Sequence, residues 1–191
     1  EQGKHMTPWE IAPPLLEDIF NVEDALVVGG LLITLLRHCD RVKVACLAQL
    51  VNVIAPIMTE TGGRLWVQTI FYPFLHCSVN GRGKALHTAC ECGTYDTKHH
   101  SNVPYIDSIA VSNESGITLF AVNRSADESC ELELGGFEGY SLVSHTVLTD
   151  DDMKRFNSAD EPNAVAPAER EISGGASLPP RSWNMLKFTV K

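Results

Sequence analysis

Residues 44–58 read VACLAQLVNVIAPIM, a run of fifteen residues in which only Gln49 and Asn52 carry polar side chains. A nearly continuous apolar run of this kind is typical of a strand covered on both faces, as in a parallel sheet flanked by helices. Each buried amide needs a partner, because burying it without a hydrogen bond costs about 1–3 kcal/mol. Two interpretations stay open. In the first, both amides bond to neighbouring backbone groups. In the second, at least one faces a polar ligand near the carboxyl end of a barrel strand, where such sites concentrate.

The residues that precede this run predict a helix. Pro13-Pro14 stands in its first turn, where proline is favoured, and an apolar stripe continues as far as Leu31. Gly29-Gly30 lies inside this helix and costs about 1 kcal/mol per residue relative to alanine, which close packing against a neighbouring strand would explain. Helix, short turn and buried strand together form half of a repeating α/β unit.

The residues that follow the run predict a loop and a second helix. The loop covers residues 58–64 and turns at Gly62-Gly63. The helix covers residues 65–79, and Pro73 should kink or shorten it. Loops after the strands of a parallel barrel carry its active site, so Glu60 is a candidate catalytic carboxylate. The alternative is an exposed, solvated glutamate.

The sequence changes character after Gly81-Arg82-Gly83. Short segments with partial alternation of apolar and polar residues follow, which is typical of antiparallel strands in a sandwich. The predicted strands are residues 84–92, 106–112, 117–123, 130–134, 140–149 and 182–190. Residues 150–181 form a long acidic connection containing prolines and glycines, for which we favour a mobile linker over a functional flap.

Composition disfavours several classes of partner. The net charge of −9 argues against nucleic acid and anionic membranes, because phosphate binding requires clustered Lys and Arg. The longest uncharged helical segment, residues 25–36, has 12 residues, short of the roughly 18 that span a bilayer. Cys39, Cys46 and Cys77 lie in apolar segments, as buried thiols do, which favours reduced cysteines and a cytoplasmic location. The chain begins at Glu1 without an initiator Met, so we expect a cut through a longer protein, with an upstream signal sequence left open.

Motifs that carry chemistry are scarce. His87, Cys90, Cys92, His99 and His100 resemble a metal cluster but lack the paired spacing of a structural zinc site. No phosphate-binding glycine loop, Gly-x-Ser-x-Gly elbow or His-Glu-x-x-His helix occurs. We therefore predict no metal and no cofactor. The residues alone predict the end of an α/β domain followed by a β-sandwich.

Several segments resemble glycoside hydrolase family 51 α-L-arabinofuranosidases. The dense part of the match comprises residues 12–18 (APPLLED), 23–26 (EDAL), 40–43 (DRVK), 45–57 (ACLAQLVNVIAPI) and 68–74 (QTIFYPF). A looser match continues in residues 103–105 (VPY), 109–111 (IAV), 120–124 (FAVNR) and 182–184 (SWN). The resemblance implies a fold class of α/β plus all-β. Residues 1–82 would be the last part of a (β/α)8 TIM barrel, incomplete here, and residues 83–191 a jelly-roll-like antiparallel β-sandwich.

The resemblance also implies a mechanism in which the catalytic residues lie outside this chain. Retaining glycosidases use one carboxylate as nucleophile and a second carboxyl group as general acid/base. In the family the acid/base belongs to an Asn-Glu motif and the nucleophile to an Asp-Glu-Trp motif, both expected on barrel strands upstream of residue 1. No Asp-Glu-Trp occurs in this chain. Asn113-Glu114, Asp127-Glu128 and Asp160-Glu161 fall in the predicted sandwich and are not taken as catalytic.

The resemblance assigns a binding role to Gln49. It matches a glutamine on the family's last barrel strand that contacts arabinofuranose hydroxyls, a role that suits an amide with two donors and an acceptor. Asn52 is a weaker candidate, because on a regular strand it points to the opposite face.

The function implied is that of the C-terminal fragment of an α-L-arabinofuranosidase, itself inactive, whose parent releases terminal non-reducing α-L-arabinofuranosyl residues. The implied partners are an arabinose-containing oligo- or polysaccharide and, for the parent, further copies of itself in a homo-oligomer. The alternative is a non-catalytic carbohydrate-binding or assembly sandwich.

Overall fold

The fold is built on an antiparallel sheet that lies between two apolar layers. The computed structural model describes residues 9, 11, 17–172 and 175–191. Over these residues the elements in chain order are α1 (Val22–Arg37), β1 (Ile57–Thr59), β2 (Leu65–Val67), α2 (Phe71–Asn80), β3 (Lys84–Leu86), β4 (Thr94–Tyr95), β5 (Val103–Pro104), β6 (Ile106–Asn113), β7 (Gly116–Asn123), β8 (Cys130–Leu132), β9 (Tyr140–Leu148), β10 (Ala168–Glu169), β11 (Ala176–Leu178) and β12 (Ser182–Val190).

Six strands form one antiparallel sheet in the order β10-β9-β12-β7-β6-β3. All eight residues of β7 are buried, which requires cover on both faces of the sheet. Phe120 and Val122 belong to the apolar cluster on one face, and Leu119 and Ala121 to the cluster on the other. The alternation of side chains along a strand produces this division.

The two-stranded sheet of β8 and β11 covers the face that carries Leu119 and Ala121. Ala176 and Leu178 of β11 are buried in that cluster. The predicted antiparallel β-sandwich is therefore confirmed. The strands predicted over residues 84–92 and 130–134 are shorter than expected and end at Leu86 and Leu132, because their pairing with neighbouring strands stops there.

Helix α1 covers the opposite face of the six-stranded sheet. Its buried residues, at helical spacing along one side, are Val22, Ala25, Gly29 and Ile33. Gly29 meets the indole of Trp183 on β12 so closely that a Cβ at this position would lie 2.3 Å from Trp183 Cδ1. Close packing against a strand therefore accounts for Gly29 inside the helix, as predicted, whereas a Cβ on Gly30 would meet only Arg124 Nη2 at 3.9 Å.

Charged groups at the end of helix α1 reinforce this docking. The Arg37 guanidinium bonds to the carboxylate of Asp107 on β6 and donates to Ser108 O at 3.1 Å. The second oxygen of Asp107 accepts from Arg124 Nη2 at 2.8 Å. Asp107 is thus shared by an arginine of the helix and an arginine next to the sheet, and it joins the two layers.

Helix α1 begins at Val22, and Pro13-Pro14, which the sequence predicted in its first turn, lie outside the described residues. Asn21 caps it in a capping box, because the Asn21 side chain accepts from Asp24 N and the Asp24 side chain accepts from Asn21 N. Residues 17–20 are not helical. The N–H of Phe20 instead donates to Gln68 Oε1 at 2.9 Å.

The helix predicted over residues 65–79 is in fact a strand followed by a shorter helix. Leu65–Val67 pairs antiparallel with Ile57–Thr59. Gln68 and Thr69 then use their side chains to bond to the backbone of residues 18–21, and α2 begins at Phe71. Pro73 stands in the first turn of α2, where its missing N–H breaks no bond, so it shortens the helix without kinking it. Among the described residues, no helix combines the length and apolar character needed to cross a membrane.

The long buried strand predicted over residues 44–58 is absent. Only Ile57–Thr59 forms a strand, and Val44 and Leu50 are 80% and 70% exposed. A strand covered on both faces needs neighbours on both edges. Among the described residues this segment has only β2 as a partner and an isolated parallel bridge between Val51 and Ile57. The barrel part of the predicted fold class is therefore not formed by the described residues.

The described residues of the segment 150–181 (150–172 and 175–181) pack against the rest of the protein, so the prediction of a mobile linker is wrong. Asn157 is buried, and its Nδ2 donates to Val67 O at 3.0 Å and to Val165 O at 2.9 Å. Its Oδ1 accepts from Val165 N at 2.7 Å. The bond from Asn157 to Val67, 90 residues away in the sequence, cannot be predicted from an acidic, proline-containing composition.

The prediction of buried cysteines holds for one residue of three. Cys77 on α2 is buried, and burial raises the pKa of its thiol to about 12. Cys39 and Cys46 are exposed. Most residues around Cys46 are exposed in the described part of the chain, so the apolar composition of the segment does not predict burial.

We expect Gly29→Ala to destabilise the protein by about 1–3 kcal/mol, because the added methyl group overlaps the buried indole of Trp183. Gly30→Ala is the matched control one residue away. It should stabilise the protein by about 0.5–1 kcal/mol through helix propensity alone. Denaturant unfolding of both variants measures the difference. Equal effects of the two substitutions would contradict the packing described for Gly29.

Acidification should weaken the docking of α2 on the sheet. The His76 ring stacks on Trp183 with ring centroids 5.6 Å apart, and burial lowers the pKa of His76, with Lys187 lowering it further and Glu169 opposing. Because the folded-state pKa lies below the usual value of about 6.5, the unfolded chain binds more protons as pH falls through that value, and stability decreases. His76→Phe keeps a stacked ring without titrating. We expect its unfolding free energy to fall less than that of the parent chain between pH 7.5 and 5.5, and an unchanged fall would refute this role.

Candidate functional site

The segment that carries Gln49 and Asn52 is a turn with an unusual backbone. Gln49, Asn52 and Val53 have φ angles of 55°, 61° and 63°, in the left-handed region that β-branched residues rarely adopt. Asn52 N donates to Ile57 O at 2.8 Å, and Ala55 N donates to Asn52 O at 3.0 Å. Strained conformations of about 1–3 kcal/mol per residue concentrate at binding and catalytic sites. The turn is therefore the candidate functional site of the described chain.

The amide of Asn52 holds this turn against β1. Its Nδ2 donates to Thr59 Oγ1 at 2.9 Å, and its Oδ1 accepts from Thr59 N at 2.7 Å. Both ends of the amide are therefore engaged by one residue. For Asn52 this agrees in part with the first interpretation, since one of the two bonds is to backbone, whereas that interpretation required both amides to bond in this way.

Gln49 differs from Asn52 in its surroundings. Its side chain is exposed, and it makes no hydrogen bond within the described residues. Two N–H donors and one carbonyl acceptor are thus free to bind a polar ligand. The left-handed φ of Gln49 breaks the alternation of a regular strand, so the argument that Gln49 and Asn52 point to opposite faces does not apply to this backbone.

Glu60 is held in an ion pair near the tip of the β1–β2 hairpin. Arg64 Nη2 donates to Glu60 Oε1 at 2.8 Å while Arg64 Nε bonds to the other carboxylate oxygen. Arg64 Nη1 donates to Asp160 Oδ1 at 2.6 Å. These hydrogen bonds, that to Glu60 first, raise the pKa of Arg64. An arginine thus occupies the space between the two acids, where a retaining glycosidase would hold the scissile glycosidic bond.

Two of the other acidic dipeptides singled out in the sequence lie at exposed positions of the sandwich. Glu114 is exposed in the turn between β6 and β7, and Asp127 and Glu128 are exposed after β7.

Two residues that organise the candidate site were not identified from the sequence. Gln68 is 2% exposed, and its Nε2 donates to Ala55 O at 2.8 Å and Asp18 O at 3.3 Å. The Thr69 hydroxyl donates to Asn21 O at 2.5 Å. Gln68 and Thr69 therefore connect the turn to the start of helix α1. Periodicity gives no signal for such bonds, although both residues lie in the segment 68–74 that carries the family resemblance.

The histidines and cysteines singled out as a metal cluster form no such site. Within the described residues, no group of three or more His, Cys, Asp or Glu side chains is arranged to hold a metal ion. Asp96, between Cys92 and His99, bonds instead to the backbone N–H of Asn102 at 2.8 Å.

Comparison with known proteins identifies the group to which the sequence is similar. The model of the family described as alpha-L-arabinofuranosidase C-terminal domain matches residues 2–182. An intracellular exo-α-(1→5)-L-arabinofuranosidase of Halalkalibacterium halodurans is 49% identical, with coverage of 100% of this chain and 40% of the relative. The intracellular exo-α-(1→5)-L-arabinofuranosidase 1 of Bacillus subtilis is 47% identical, with coverage of 98% and 39%.

The fold has a counterpart among solved structures. A family 51 α-L-arabinofuranosidase from Bifidobacterium longum superposes with a TM-score of 0.86 at 43% identity, covering 98% of this chain and 38% of that one. The chain thus spans about two-fifths of the length of the curated relatives it matches.

Proposed function

The chain belongs to the family of α-L-arabinofuranosidase C-terminal domains, and from this we propose that it is the C-terminal part of a retaining α-L-arabinofuranosidase. The whole enzyme would release terminal non-reducing α-L-arabinofuranosyl residues from arabinose-containing oligo- or polysaccharides. The observation that carries the proposal is the match to this family over residues 2–182, together with relatives of that activity that extend well beyond it. Nucleophile and acid/base would both be supplied by residues upstream of residue 1.

We further propose that residues 1–82 complete a (β/α)8 barrel and that residues 83–191 form a sandwich domain beside it. Exposed apolar side chains support the barrel. Val27 and Leu31 on the outer side of helix α1 are 58% and 59% exposed, and Val44 and Leu50 are exposed as well. Val27 and Leu31 lie one helical turn apart on the same face of α1, and large apolar side chains exposed together mark a face that another part of a protein covers. The missing barrel strands would cover these residues and give the segment 44–58 the neighbours that a buried strand needs.

Gln49 is the residue of this chain that we propose to contact substrate. Its exposed amide is free within the described residues, whereas that of Asn52 is bound to Thr59. Sugar hydroxyls both donate and accept hydrogen bonds, which an amide can match. Asn52 would instead set the shape of the turn that presents Gln49.

A cytoplasmic location is part of the same proposal. The word "intracellular" in the names of the relatives from Halalkalibacterium halodurans and Bacillus subtilis supports it. That the whole enzyme is a homo-oligomer rests on the family resemblance alone.

The first test compares this chain with a form extended at its N-terminus by the natural upstream residues. Hydrolysis of a chromogenic α-L-arabinofuranoside should occur only with the extended form, because the chain alone would have neither nucleophile nor acid. A chromogenic β-D-xyloside serves as the control substrate. Turnover by the 191-residue chain alone would overturn the assignment of the catalytic residues. A folded extended form that does not hydrolyse the arabinofuranoside would overturn the activity itself.

The second test replaces Gln49 by alanine in the extended form. Loss of hydrogen bonds worth about 1.5–3 kcal/mol in the transition state should lower kcat/KM by roughly 10- to 150-fold. The thermal midpoint should stay the same, because Gln49 makes no bond within the described residues. Asn163→Ala, at an exposed position of the segment 150–181, is the control and should leave both values unchanged. An unchanged kcat/KM for Gln49→Ala would remove Gln49 from the binding site.

A further inference from the structure

A cleft of about 590 Å³ opens between the two layers of the sandwich, on the side away from helix α1. The apolar floor of the cleft includes Ile106, Ala110 and Leu119 of the six-stranded sheet. One wall is the irregular segment 87–92, which continues β3 beyond its last paired residue, and the other includes β8. Cysteines project into the cleft from both walls.

Three of the six cysteines of the chain meet there. Cys90, Cys92 and Ser108 line the same part of the cleft, and the Cys90 side chain is close enough to those of Cys92 and Ser108 to interact with them. Cys130 on β8 is close enough to interact electrostatically with both thiols, although it lies 38 residues beyond Cys92 in the sequence. The fold therefore assembles a thiol cluster from two separate segments.

The cluster is accessible from solvent. Cys90 is exposed, while Cys92 and Cys130 are half-buried. The Cys92 thiol lies 3.9 Å from Ile106 O and the Cys130 thiol 3.7 Å from Glu131 O, so each makes a contact with the backbone. A small oxidant can reach Cys90 first, with a second thiol, Cys92, beside it in the same cleft.

We propose that Cys90 and Cys92 are an oxidisable dithiol, a modification site whose co-reactant is a small hydroperoxide and whose product is a Cys90–Cys92 disulfide. The absence of a metal-holding arrangement in the described residues favours oxidation over metal binding as the chemistry of this cluster. The site is independent of arabinoside hydrolysis, since it lies in the sandwich, away from Gln49.

The reaction balances in two steps. The Cys90 thiolate attacks one oxygen of the hydroperoxide, the O–O bond breaks, and Cys90 becomes a sulfenic acid while water or an alcohol leaves. The Cys92 sulfur then attacks the Cys90 sulfur, the S–O bond breaks, an S–S bond forms and the hydroxyl leaves as water with the Cys92 proton. Two thiols are oxidised by two electrons, and one hydroperoxide is reduced.

The reaction should be slow at neutral pH and faster in alkali. Burial first, and then the neighbouring thiols, raise the pKa of Cys90, and burial and Cys92 raise the pKa of Cys130. The thiolate is the reacting species, so its fraction limits the rate. The other ionisable groups that line the cleft are His87, Glu91, Glu131 and Glu133. Such a site responds to sustained oxidation more than to a brief pulse.

The test treats the folded chain, and in parallel its extended form, with hydrogen peroxide at pH 7.5 and 9, and then blocks the remaining thiols under denaturing conditions. We expect the number of blocked thiols to fall from six to four. The mass before blocking should fall by about 2 Da as two hydrogens are lost. Dithiothreitol should reverse both changes, and peptide mapping should place the bond between Cys90 and Cys92.

Matched variants separate this pair from the remaining thiols. Cys90→Ser and Cys92→Ser should each abolish the loss of two thiols. Cys39→Ser and Cys46→Ser remove exposed cysteines outside the cleft. Each variant should still lose two thiols on peroxide treatment. Persistence of the disulfide in Cys90→Ser, mapping to any other pair, or six free thiols after peroxide treatment of folded protein would each overturn the proposal. None of these outcomes depends on whether the extended form hydrolyses arabinosides.

Discussion

The contact between the Trp183 indole and the backbone of Gly29 is the constraint on which the rest of the structure depends. A fully buried ring on β12 needs cover, and only a residue without a side chain lets a helix approach it so closely. The same ring receives His76 from α2 and lies 6.2 Å, centroid to centroid, from Phe120 on β7. One side chain thus fixes the distance of two helices from the sheet, and the shared Asp107 fixes the end of helix α1 on it.

The sandwich could be predicted from the sequence because its signal is local. Alternation along residues 106–112, 117–123, 140–149 and 182–190 places these strands within one or two residues of where they lie. Local signals fail where a segment depends on distant partners. The apolar run 44–58 has the composition of a buried strand, yet the described residues offer it a hairpin partner on one side only, and most of it is irregular. Residues 65–67 were predicted as the start of a helix but form a strand, because pairing with β1 outweighs their helical pattern.

The candidate site could be predicted from the sequence only in part, for a similar reason. Family resemblance pointed to Gln49, and its free, exposed amide is compatible with that role. No pattern in the sequence could show that Asn52 closes its turn through Thr59, or that Gln68 bonds to residues 18, 20 and 55 at once. Such bonds join residues up to 50 positions apart. A single sequence does not distinguish an amide that makes them from any other buried amide.

The cluster around Trp183 also has a consequence for inheritance. It unites Val22, Ala25 and Ile33 of helix α1 with Phe120, Val122 and Met185 of the sheet, so one core lies on both sides of the proposed boundary at residues 82 and 83. The family match, from residue 2 to residue 182, likewise treats both sides as one unit. A recombination event that moved residues 83–191 alone into another gene would leave Trp183 exposed to solvent on an uncovered face of the sheet. Lineages that exchange this sandwich successfully should therefore carry its helix, and the glycine within it, along with the strands.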